Sequence, residues 1–186
     1  IRETVLTAET EDDGLVVKNP DGYLYIESGV LSLTAEGDAI HTTGEVTVAG
    51  GNLTINAGDD AIHSETAIRI EDGTVFVGAC YEGMEAQTIH ISGGEITIYP
   101  KDDGLNANGG TDLFGLQGFG HDGWKPGETV GEQNTQLVSS MAPEEKPLIA
   151  VSGGSLTIIN PAARDADGMD SNGDILISGG IIRISI

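Results

Sequence analysis

The stretch Thr88–Gly104, TIHISGGEITIYPKDDG, holds one whole structural unit. Ile89 and Ile91 alternate with polar residues, two glycines turn the chain, and Ile96 and Ile98 alternate again before an acidic bend at Asp102-Asp103-Gly104. Alternation with period two marks short strands with one buried face. The same reading applies to five other segments: Tyr23–Gly29 (YLYIESG), Glu45–Gly51 (EVTVAGG), Ala67–Gly73 (AIRIEDG), Leu148–Gly154 (LIAVSGG) and Asp174–Gly180 (DILISGG). Their final glycines, with Gly94, are spaced 22, 22, 21, 60 and 26 residues apart. A regular coil with two lengthened connections accounts for that series, the larger insertion falling at about 110–147.

Aligning the segments produces columns. Leu24, Val46, Ile68, Ile89, Ile149 and Ile175 form one, and Ile26, Val48, Ile70, Ile91, Val151 and Ile177 the next. After the glycine come Leu31, Leu53, Val75, Ile96 and Leu156, then Leu33, Ile55, Val77, Ile98 and Ile158. A third, shorter strand contributes Ile40, Ile62, Met84, Leu105 and Met169. Period-two alternation inside a period of about 22 predicts an all-β parallel β-helix, with three short strands per coil. Each inward residue then stacks on its equivalent ~4.8 Å along the axis. One coil cannot bury its own apolar face, so stability comes from neighbours. Residues 1–186 read as one such domain. Both ends stop inside strands, which predicts a part of a longer chain, either monomeric or associating end to end through open coils.

Composition narrows the function. Eight Lys and Arg stand against 30 Asp and Glu, a formal charge of −22. That excludes nucleic acid and anionic membranes as partners. No apolar run reaches membrane-spanning length, and the lone Cys80 excludes an internal disulfide framework.

The charge is concentrated at the bend before the third strand. Asp13, Asp38, Asp60, Glu82, Asp103 and Asp167 share one column, preceded by Asp12, Asp59 and Asp102 in three coils. Three residues further on stand His41, His63, Glu85, Asn106 and Asp170. Carboxylates ~4.8 Å apart repel by roughly 1 kcal/mol in water and several-fold more at a protein surface. Cations between them relieve this, and Ca²⁺, with six to eight oxygen ligands, suits the donor set better than Mg²⁺. The expected metal ligands are Asp38, Asp59, Asp60 and Glu82, followed by Glu82, Asp102 and Asp103. A solvated acidic turn is the competing reading. His63 reads as groove surface and is a candidate carbohydrate contact.

The strings GDDAIHSE (58–65), KDDGLNANGG (101–110) and DADGMDSNGDI (165–175), with the repeated ISGG strand ends, resemble the secreted clostridial-type carbohydrate-binding β-helix domain, which is akin to pectate lyases. The resemblance spans the chain from about Thr10. It implies a right-handed helix, bound calcium, and affinity for cellulose-like or galacturonan polysaccharides, with the calcium ligands on the six residues just named.

Three functions follow. In the first, a protein-bound Ca²⁺ bridges to a sugar carboxylate in a carbohydrate-binding module. In the second, the chain is a polysaccharide lyase acting by β-elimination, with Lys101 or Arg164 as base. In the third it is a structural or adhesive β-helix of the cell surface. Binding is favoured over catalysis, because carboxylates around Lys101 raise a lysine's pKa. Trp124 and Phe119 in the insertion, with the outward Tyr81 and Tyr99, are candidates for stacking on sugar rings. Low cysteine, high acidity and calcium suit an extracellular location.

Overall fold

The computed structural model describes residues 1–108, 146–160 and 166–186. Phe119, Trp124, Arg164 and almost all of the 110–147 insertion lie outside the described residues.

The described chain is a parallel β-solenoid of about six turns, with no helix among the described residues. The second strands of successive coils build a seven-stranded parallel sheet: β1 (Thr4–Thr10), β4 (Gly29–Ala35), β7 (Asn52–Ala57), β9 (Thr74–Cys80), β11 (Glu95–Pro100), β14 (Ser155–Ile159) and β17 (Ile181–Ser185). First strands stack as β3 (Tyr23–Ile26), β6 (Glu45–Val48), the end of β8 (Ile62–Ile70), the end of β10 (Met84–Ile91), β13 (Leu148–Val151) and β16 (Asp174–Ile177). Third strands are β2 (Leu15–Val17), β5 (Ile40–Thr42), the starts of β8 and β10, β12 (Leu105–Ala107) and β15 (Met169–Ser171).

Every inward column read from the sequence is a column of hydrogen-bonded register partners. Leu24 pairs with Val46, Val46 with Ile68, Ile68 with Ile89, Ile89 with Ile149, and Ile149 with Ile175. The second-strand columns also extend one coil outward at each side, to Leu6 and Ile182 and to Ala8 and Ile184. Ile40, Ile55, Ile62, Ile68, Ile70, Met84, Ile89 and Ile98 are fully buried. Burying such a side chain contributes about 1.5–3 kcal/mol, and the stack provides this only where a coil lies on each side. In the last described coil Ile175 and Ile177 keep their register but are half exposed.

The six glycines that set the period are the six with positive φ among the described residues, from +73° at Gly154 to +118° at Gly29. Gly51 shows the reason. Its φ is +92°, and a Cβ there would lie 2.9 Å from the Gly29 carbonyl oxygen. Coils therefore stack at this turn only with glycine in place.

Two details depart from the simple repeat. In β8 and β10 the third and first strands merge into one continuous strand, whereas β5 and β6 are separated by a turn at Gly44. In β8 the Ser64 hydroxyl fills that turn: its Oγ donates to the Gly44 carbonyl at 2.7 Å and accepts from the N–H groups of Ala67 and Thr66. The outward column through Asn56 and Gly78 is also broken. Asn56 pairs with Ala79, and the register shifts where Gly78 bulges.

Candidate acidic ladder at the second bend

Parallel register brings the acidic bends of successive coils directly over one another. Asp13 Oδ1 accepts from the Asp38 N–H at 3.0 Å, Asp38 Oδ1 from the Asp60 N–H at 3.0 Å, and Asp60 Oδ1 from the Glu82 N–H at 3.2 Å. Further along, Asp103 Oδ1 accepts from the Asp167 N–H at 2.7 Å. The residue after each acid reaches the other way: the N–H groups of Ala39, Ala61, Gly83 and Gly104 donate to the carbonyls of Asp60, Glu82, Asp103 and Asp167. The acid column thus ties coil to coil through both side chain and backbone. One carboxylate oxygen is spent on the next amide, which leaves the other to face its neighbours.

The ladder is an interior feature. Asp38, Asp60, Glu82 and Asp103 are only 6, 5, 1 and 7 % exposed, while Asp59 is exposed and Asp102 half-buried. In each Asp-Asp pair the second acid turns inward and the first toward solvent.

A parallel column stands on the third strands, where His41 pairs with His63, His63 with Glu85, Glu85 with Asn106 and Asn106 with Asp170. The rings of His41 and His63 stack 4.8 Å apart and 3° from parallel. His41 Nδ1 lies 2.9 Å from Asp38 Oδ2 and 3.4 Å from Asp13 Oδ2. His63 Nδ1 faces Glu85 at 3.3 Å, Asp60 at 3.6 Å and Asp38 at 3.7 Å. Asn106 Nδ2 donates to Glu82 Oε1 at 3.0 Å, and its buried Oδ1 has no hydrogen-bond partner.

Such crowding raises the carboxyl pKa values. Burial, then the adjacent Glu85, drives Asp60 far above the carboxylate range. Burial, then Glu85 again, pushes Glu82 up to about 8. Burial also raises Asp59 and Asp103. The hydrogen bond to Asp38 raises His41 and outweighs its own burial. Raised pKa values on acids and on an imidazole alike mark a site short of positive charge.

Three groups of oxygen and nitrogen atoms converge to within 4.8 Å: Asp38 with Asp59 and Asp60, Asp38 with His41 and His63, and Asp60 with His63 and Glu85. The first contains three of the six residues expected to hold metal. Glu82, Asp102 and Asp103 sit on the next two bends without converging as such a group among the described residues. His63, read from the sequence as groove surface, belongs to the ladder. Glu85 was visible as an acid three residues past the bend, but its approach to Asp60 depends on side-chain direction.

The other sequence candidates lie apart from the ladder's interior. Lys101 is exposed on the bend after β11, its backbone N–H bonded to Cys80 and Tyr81 carbonyls. Tyr81 is half-buried beside Glu82. Tyr99, outward on β11, packs edge to face on Phe76 of β9, ring centroids 6.0 Å apart. Cys80 is buried, and burial pushes its thiol up to about 12.

A family model described as carbohydrate-binding domain-containing protein matches residues 1–118. No curated protein and no solved structure matches the chain. The match covers the coils that carry the ladder from Asp13 to Asp103 and well over half of the sequence, so this chain belongs to the carbohydrate-binding domain-containing protein family.

Proposed function

We propose that the protein is an extracellular carbohydrate-binding β-solenoid whose acidic ladder holds calcium. The family supports the carbohydrate, and the converging oxygens of Asp38, Asp59 and Asp60 support the ion. The donor set fits calcium: carboxylates dominate, and the buried, unpartnered Asn106 Oδ1 adds a neutral oxygen beside Glu82. Calcium there would supply positive charge and displace the protons that burial now holds on the acids. Because Asp38 and Asp60 each tie two coils, an ion on their remaining oxygens would stiffen the stack. Only the exposed Asp59 gives that group an outward side, so the ladder favours a role in holding coils together over a sugar-bridging one.

The ligand in this reading is a cellulose-like or polyuronate polysaccharide. Isothermal titration with Ca²⁺ after chelator treatment, followed by affinity electrophoresis in gels containing either polymer, tests it. Calcium uptake with retarded migration supports the proposal. No calcium uptake, or migration unchanged by either polymer, refutes the corresponding half.

A further inference from the structure

We infer that the sugar-binding site is a groove on the outer face of the first strands, remote from the acidic ladder, and that it takes neutral rather than acidic sugar rings. This inference rests on the carbohydrate-binding reading above. The groove has a volume of about 210 Å³ and is lined by Arg69, Glu71, His90, Ser92, Ala150 and Ser152, with Ile91 beneath. It lies at the end of β8 opposite His63. Asp38, Asp60, Glu82 and Asp103 are too buried to present a face to a polymer, whereas Glu71, Ser92 and Ser152 are exposed and Arg69 and His90 half-exposed.

The groove runs along the solenoid axis. Arg69 pairs with His90 and His90 with Ala150, so these side chains stand one coil apart in a row. Beside them, the N–H groups of Glu71, Ser92, Ser152 and Ser178 donate in turn to the carbonyls of Val48, Ile70, Ile91 and Val151, placing a second row in the same register. A linear polymer along the axis would meet polar groups once per coil. The volume, below the roughly 300–1,000 Å³ of pockets that enclose a whole ligand, suits one ring of a longer chain.

The chemistry selects the class of ring. A guanidinium donates to sugar hydroxyls, a carboxylate accepts from them, and imidazole and serine do either. The Ala150 methyl offers an apolar patch for a C–H face. Arg69 is already engaged by Glu45, Nε to Oε1 at 3.1 Å, and Glu71 adds a second carboxylate. One guanidinium against two carboxylates, in a chain of net charge −22, opposes a uronate.

Affinity electrophoresis of the full chain in hydroxyethylcellulose and in polygalacturonate, both with calcium present, tests the inference. The wild type should bind the neutral polymer at least tenfold more tightly. Arg69→Ala, His90→Ala and the groove-filling Ala150→Leu should each weaken that binding tenfold or more. Thr54→Ala, on the second-strand face, should stay within twofold. Circular dichroism melts identify any variant that has lost its fold, and the Arg69–Glu45 pair is exposed enough for Arg69→Ala to melt near the wild type. Wild-type binding to the neutral polymer that Arg69→Ala and His90→Ala leave unchanged overturns the groove alone, as does preference for polygalacturonate. No wild-type binding to either polymer overturns the carbohydrate reading and the groove with it.

Discussion

Raising the pH of the chelator-treated protein from 5.5 to 7.5 should destabilise it, and Glu82 sets the scale. Its carboxyl titrates near 4.5 in an unfolded chain and is pushed up to about 8 in the fold by burial and by Glu85. An acid with a raised folded pKa binds a proton more tightly when native. Its stabilising share is present at low pH and is lost as pH climbs from the unfolded value through the folded one. Between pH 5.5 and 7.5 that loss is roughly 2–3 kcal/mol for this one group, or about 5–10 °C in melting temperature for a domain of this size. His41 acts in the same direction, because its raised pKa means stability lost as it deprotonates. Urea denaturation followed by circular dichroism at both pH values measures the difference. Glu82→Gln, which keeps an oxygen for the Asn106 amide, should remove Glu82's share of the slope, leaving that of Asp60 and His41, and make the variant more stable than wild type at pH 7.5 without calcium. With saturating calcium the slope should reverse, since the ion requires deprotonated ligands. A metal-free wild type at least as stable at pH 7.5 as at pH 5.5 would refute the picture of acids crowded beyond what water can relieve.

Three further outcomes follow from the coil geometry. Asp38→Asn should lower calcium affinity at least tenfold by calorimetry while keeping the fold, because the amide oxygen can still accept from the Asp60 N–H. Gly51→Ala forces a Cβ into a positive-φ position 2.9 Å from the Gly29 carbonyl, and should lower the denaturation free energy by roughly 1–3 kcal/mol. Cys80 should react with a disulfide reagent at pH 8 at least a hundredfold more slowly in the native protein than in urea, given its burial and its thiol pKa of about 12.

The fold was legible in the sequence because its determinants repeat in kind. Leu, Val and Ile recur at the same offset from a glycine, and burial admits only one arrangement of such columns. The positive-φ glycines were legible for the same reason. Half of the acidic ladder was legible too, since register alone puts Asp38 below Asp60. What the repeat could not show is where each side chain points. Asp38 Oδ1 capping the next amide, or Glu85 turning toward Asp60, depends on rotamers that spacing does not encode. The first-strand groove was hidden more thoroughly. Arg69, His90 and Ala150 form a column with no shared chemistry, so nothing in the alignment marks them as one surface.

The carboxylate-to-amide bonds at the second bend all run one way. Asp13 receives Asp38, Asp38 receives Asp60, and Asp60 receives Glu82, so each coil is held by an acceptor that its predecessor already displays. The side-chain bonds are therefore vectorial, and the backbone bonds of Ala39, Ala61 and Gly83 answer them in the opposite sense. Each turn thus offers a carboxylate to the amide of the turn after it, while its own next amide, such as that of Ala39, is satisfied only by the carbonyl that the later turn brings. Truncation from either end should accordingly strand amides at the cut, those of the acids at the front and those of the residues after them at the back.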